Sequence, residues 1–155
     1  MALQSNGGRY VALGVSGLLL LLVSLPPFVS PSARALLMAA FAPLCHQLPD
    51  RSFWIDGVQL AVCQRCYGIY TGLFLGALLL PMFGARAAWM YRQARWLLVV
   101  ALFPPALDWG LQILQLWNNT PLSRTLTGLW FGLVVGLLLT ATLCHAPRKA
   151  PPQPA

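Results

Sequence analysis

Cys45-His46, a gap of sixteen residues, and then Cys63-Gln64-Arg65-Cys66 place three thiols and an imidazole in one short stretch of chain. Two thiolates spaced CxxC can chelate one ion, and ligands from a separate segment complete the tetrahedral nitrogen and sulfur set that zinc prefers. Val62-Cys63-Gln64-Arg65-Cys66-Tyr67-Gly68 approximates a zinc knuckle, with an apolar lead-in and a glycine close behind the last cysteine. Side chains of adjacent residues commonly diverge, so the pattern lets one of Cys45 and His46 be a ligand while the other serves the surroundings or the chemistry. Asp108 is the candidate fourth ligand or water-holder, which leaves three protein ligands and an open position, the pattern of catalytic zinc. A disulfide from Cys45 to Cys63 or Cys66 is the plain structural alternative in an oxidising compartment. It leaves His46 and the third thiol without a role.

These residues must be positioned by membrane helices. The chain of 155 residues is 58% hydrophobic and only 8% charged, with a mean hydropathy of +0.68. That composition lies far from the soluble average of about 25% charged. It marks an integral membrane protein whose first partner is the lipid bilayer. A span needs about 20 apolar residues, and residues 10–29, 67–84, 96–117 and 125–144 qualify. The expectation is an all-α membrane protein, a four-transmembrane-helix bundle forming one domain over 10–145, with a tail at 1–9 and a disordered tail at 146–155. The first segment could serve as a signal peptide, with Ala33 and Ala35 in a passable cleavage pattern, but its length favours an uncleaved anchor. The formal charge of +7 reads as orientation signal and contact with anionic head groups, not as a nucleic-acid site. Arg9, Arg86, Arg92, Arg95, Arg148 and Lys149 fall on one side and Arg34, Arg51, Arg65 and Arg124 on the other, which favours cytoplasmic termini and an extracytoplasmic Cys/His loop.

That loop, 30–66, is the long connection. Pro31 onward reads as a short interfacial helix over Ala33–Leu44 with Ser32 as N-cap, ended by Pro43. Asp56-Gly57 between Phe53-Trp54-Ile55 and Val58–Val62 suits a type I′ β-hairpin that would deliver Cys63 to the mouth of the second helix. Gly68, Gly72 and Gly76 on that helix and Gly128, Gly132 and Gly136 on the fourth lie at four-residue spacing, which lets backbones approach closely. Gly68 level with Gly128 would bring Arg124 near the height of Cys63 and Cys66. In the third helix Pro104-Pro105 should interrupt and kink the helix just before Asp108. An intramembrane carboxylate marks function or an ion pair, and its simplest structural role is a bridge to Arg124. Gln112 shares its face one turn on. His46, Asp108 and Arg124 are therefore the candidate catalytic groups, with Arg65 and Gln112 around them to bind an anionic group or orient Asp108. Cys144 reads as a small buried hydrophobe.

Two resemblances bear on this. A CxxC at the start of the second of four helices resembles the quinone-linked disulfide-generating membrane proteins, with Arg65 lowering the thiol pKa. That implies thiol-disulfide exchange with a quinone as the alternative cofactor, although those proteins relay oxidation through a second cysteine pair. The wider pattern is similar to a family of small prokaryotic membrane proteins known as domain of unknown function 2085. The residues that carry it are Cys45-His46-Gln47, Arg51-Ser52-Phe53, Cys63 through Tyr70, Asp108, Gln112, Asn118, Arg124 and Thr127-Gly128. This implies a multi-pass protein of a prokaryotic plasma membrane with one shared polar cluster, and it implies no activity. Metal-assisted hydrolysis or transfer, a membrane metal-binding protein and a scaffold with a structural disulfide all fit. Transport would ask for a homo-oligomer, since four short helices with one acidic residue offer little alternating pathway.

Overall fold

The computed structural model of the chain describes residues 6–83 and 86–145; the expected tail at 146–155, with Arg148 and Lys149, lies outside them. Among the described residues four helical stretches are long and apolar enough to cross a membrane: α1 Asn6–Ser24, α3 Gln64–Leu79 together with the 3-10 turn Leu80–Phe83 that continues it, α5 Ala94–Ile113 and α6 Pro121–His145. Two shorter helices, α2 Pro31–Phe41 and α4 Arg86–Arg92, and a two-stranded antiparallel sheet, β1 Ser52–Ile55 and β2 Val58–Cys63, complete the architecture. The fold is thus all-α apart from one small hairpin.

The boundaries shift for local reasons. α1 spans 6–24 where 10–29 was expected, because Pro26 and Pro27 start a separate 3-10 turn over Pro26–Phe28. α2 begins at Pro31, whose fixed φ suits the first helical position. Its cap is therefore Ser30, which accepts from the Ala33 N–H at 3.5 Å, and not Ser32. α3 begins three residues earlier than expected and so takes Cys66 into its first turn. α5 runs unbroken through Pro104 and Pro105 and ends at Ile113 instead of Trp117. α6 begins at Pro121, and the reciprocal bonds of Ser123 N–H to Thr120 Oγ1 and Thr120 N–H to Ser123 Oγ, each 3.1 Å, fix its start. Arg124 consequently sits within the first turn of α6. α4, in the expected second connection, was not foreseen.

The hairpin follows the turn chemistry of its sequence. Asp56 and Gly57 both take positive φ, +49° and +73°, as a two-residue type I′ turn requires. β2 then runs directly into α3, with Cys63 in the capping position.

α3 and α6 form the spine of the bundle. The Cα of Gly132 lies so close to α3 that an added Cβ would stand 2.2 Å from the Ile69 carbonyl oxygen, and one on Gly72 2.4 Å from the Leu129 oxygen. Gly68 nests between Thr125 and Leu129, and Gly128 against Arg65. The register expected from the glycine spacing therefore holds to within a residue. One core cluster gathers Leu80, Ala87, Met90, Leu137, Ala141 and Cys144 at the end away from the hairpin, which gives Cys144 the buried apolar setting anticipated for it. A second, at the hairpin end, packs Val23, Phe41, Ala61 and Val62 around Cys45.

Candidate metal centre

Cys45 lies just beyond α2, where its N–H donates to the Phe41 carbonyl at 3.0 Å. Gln47, at φ +51°, pins this corner: its Nε2 donates to the carbonyls of Met38 and Ala61, both at 2.8 Å. Gln59 closes the other side by donating to the Gln47 carbonyl at 2.6 Å and to Ser52 Oγ at 3.0 Å. The corner is thereby stitched to both α2 and β2. It turns the Cys45 side chain inward, with 5% exposure, and leaves His46 outward and exposed.

The result is a cluster of sulfurs. Cys45, Cys63 and Cys66 present their sulfur atoms all within 4.8 Å of one another, and this group can hold a metal ion. Tetrahedral ligation at about 2.3 Å per Zn–S bond sets sulfurs about 3.8 Å apart, so only small side-chain adjustments separate this set from a ligating one. Hydrogen bonds from the Cys63 and Cys66 thiols, with further help from the Cys63 N–H at 3.2 Å, draw the Cys45 pKa well below the ordinary thiol value. Cys63 stands in the capping position of α3 and Cys66 in its first turn. All four described cysteines, Cys144 included, are free thiols. Of the adjacent pair Cys45 and His46, then, Cys45 joins the thiol set.

The sulfurs border a cavity of about 480 Å³ that His46 also lines. Arg51, Arg65, Arg124 and Gln112 reach the same space from four different elements. The convergence of Gln112 and Arg124 with the thiols was expected; that of Arg51 was not assigned a role. Asp108 stands apart from the sulfur set. It is buried, and its Oδ2 accepts from Arg65 Nη2 and, at 2.9 Å, from Asn119 Nδ2. The bridge expected between Asp108 and Arg124 is therefore an Arg65–Asp108 bridge joining α3 to α5. The reason is reach: Arg65 sits in the first turn of α3, while Arg124 is drawn to Gln64, donating to its Oε1 at 3.3 Å. Asn119, not the exposed Asn118, is the asparagine of this network. Gln47, Gln59, Gln64 and Asn119 are the supporting residues that the sequence left without roles. The signal available was polarity: four amides near the site in a chain with little of it.

A family model described as "Predicted membrane protein (DUF2085)" matches residues 45–138, which holds all three clustered thiols and every arginine of the cavity. An uncharacterized protein, MJ1492, of Methanocaldococcus jannaschii is 37% identical over 99 residues, covering 64% of this chain and 63% of the relative, so the chain spans less than two thirds of that protein. An uncharacterized protein of Methanothermobacter thermautotrophicus is 36% identical over 110 residues, 68% of this chain and 91% of the relative. No solved structure matches.

Proposed function

The chain belongs to the DUF2085 family of predicted membrane proteins, and we propose that within that frame it is a membrane metal protein whose Cys45, Cys63 and Cys66 hold one transition-metal ion. Zinc suits three thiolates and a nitrogen or water best. The observation that carries the reading is the meeting of three sulfurs from two separate segments within 4.8 Å at the wall of a cavity. His46, exposed beside Cys45 and lining that cavity, lies outside the thiol group, so the fourth position is left to water and His46 is the protein group available for proton transfer there. Asp108 is tied by Arg65 and Asn119, so its role is to position Arg65, and not to ligate.

The basic residues bias the hairpin end toward the extracytoplasmic side. Free thiols are oxidised there unless a metal holds them, which gives the metal a structural purpose as well. With the fourth position open, a bound metal would supply an activated water or a polarised substrate oxygen. The protein's residues would then bind and orient a lipid-proximal substrate for hydrolysis or transfer. Thiol-disulfide exchange is the second reading, favoured by one feature: Cys45 stands within reach of a CxxC at a helix start.

Elemental analysis of detergent-purified protein, with thiol counting with and without reductant, separates the two. About one metal per chain and free thiols, lost in Cys63→Ser and kept in Cys144→Ser, is the expected result. A metal-free protein with a Cys63–Cys66 disulfide that exchanges with a quinone or a thiol partner overturns the metal reading.

A further inference from the structure

The thiol cavity carries more positive charge than a metal site uses. Arg51 precedes the hairpin, Arg65 lies in the first turn of α3 and Arg124 in the first turn of α6, and all three line the same space. Asp108 neutralises Arg65. Asp50 stands 3.7 Å from Arg51 Nε but is mostly exposed, and such a surface pair is weak. Arg124 faces neutral Gln64 and has no carboxylate within 4.0 Å among the described residues. Three thiolates around a divalent ion carry one negative charge. With Asp108 they offset two of the three guanidiniums, and one positive charge is left over.

Burial sharpens the point. The Nε atoms of Arg51 and Arg65 are buried and meet no acceptor among the described residues, an arrangement that is costly unless an acceptor arrives. The surroundings also describe what arrives. Leu44, Leu48 and Trp109 are large, exposed and apolar at the same cavity, while Gln112 adds neutral hydrogen-bonding groups from α5.

We propose that this cavity binds a phosphate-type anion beside the thiols, with Arg51 and Arg124 as its principal contacts. Guanidinium forks match phosphate oxygens two at a time. Two sources share that chemistry, the head group of an anionic phospholipid and free phosphate. The apolar rim beside a cationic wall is the complement of a lipid at the junction of head and chain. The inference deepens the metal reading, since it rests on the same cavity and names what would approach the open side of the site.

The test uses the full chain purified in detergent, as wild type, as the double variant Arg51→Gln/Arg124→Gln, and as Arg92→Gln from α4 at the opposite end. Inorganic phosphate is titrated by calorimetry, and phosphatidylglycerol against phosphatidylcholine by native mass spectrometry. Wild type and Arg92→Gln should bind the anion at least about tenfold more tightly than the double variant, with metal content per chain unchanged across all three. Preference for phosphatidylglycerol over both phosphatidylcholine and phosphate supports the site with a lipid source; binding of phosphate no weaker than the lipid supports it with a free one. Equal affinities in wild type and the double variant overturn it. Anion binding by wild type without any metal would refute the metal reading and leave this one standing. Should the double variant not fold, phenylglyoxal labelling of wild type decides: phosphate must protect Arg51 and Arg124, and absence of protection refutes the site.

Discussion

Gly132→Ala tests the packing that positions the whole centre. The added Cβ would stand 2.2 Å from the Ile69 carbonyl oxygen, where ordinary contact begins at 3.4 Å. The contact is backbone on both sides, so no side chain can rotate away; α3 and α6 must part by about 1.2 Å or bend, and overpacking of this kind costs about 1–3 kcal/mol. Alanine recovers up to about 1 kcal/mol through helix propensity. Gly14→Ala is the matched control, since its Cβ would meet nothing within 4 Å and only the propensity gain applies. At about 2–4 °C per kcal/mol for a chain of this size, the two variants should differ by about 2–12 °C in thermal unfolding in detergent. Position along the spine adds a second readout. Gly128 faces the Arg65 carbonyl, its Cβ only 2.1 Å away, whereas Gly136 faces Leu73 far from the thiols. Gly128→Ala should therefore weaken metal retention as well as lower the melting temperature, and Gly136→Ala should lower the melting temperature alone. A Gly132→Ala protein that melts as high as Gly14→Ala would refute the close-packed spine and the positioning built on it.

Asp108→Asn leaves Arg65 in a part-buried site without its counter-charge, which should cost about 2–4 kcal/mol, whereas Arg124→Gln loses one 3.3 Å bond to Gln64 and should change unfolding by less than about 1 kcal/mol; comparing the two melts shows which arginine Asp108 serves. Gln47→Ala removes two 2.8 Å bonds to the Met38 and Ala61 carbonyls and should cost about 2 kcal/mol, with Cys45 alkylated by maleimide faster than in wild type. Gly57→Ala places a Cβ at φ +73° and should cost about 1–2 kcal/mol, read as faster hydrogen exchange of the Val58–Val62 amides. Stripping metal with a chelator should lower the melting temperature of wild type but leave Cys63→Ser, already unable to complete the thiol set, unchanged.

Much of the fold follows from short-range rules that the chain carries openly. Length and apolarity make α1, α3, α5 and α6 spans, Asp56-Gly57 makes the hairpin turn because few other pairs tolerate two positive φ angles, and glycines four apart mark the two faces that must touch. The CxxC and Cys45 were visible as a chelating pattern for the same reason: thiol chemistry depends on residue type and spacing. What the sequence could not decide was direction and choice of partner. Whether Cys45 or His46 turns inward depends on the Gln47 clamp across α2 and β2, and whether Arg65 or Arg124 meets Asp108 depends on the register of α3 against α6 and on the length of α5. Both are set by contacts between residues far apart in the chain, where differences of a few ångströms select one charged or thiol partner over another. Sequence alone named the candidates for the centre, and only tertiary packing joined the three sulfurs, set Asp108 behind Arg65 and left Arg124 facing the cavity without an acid.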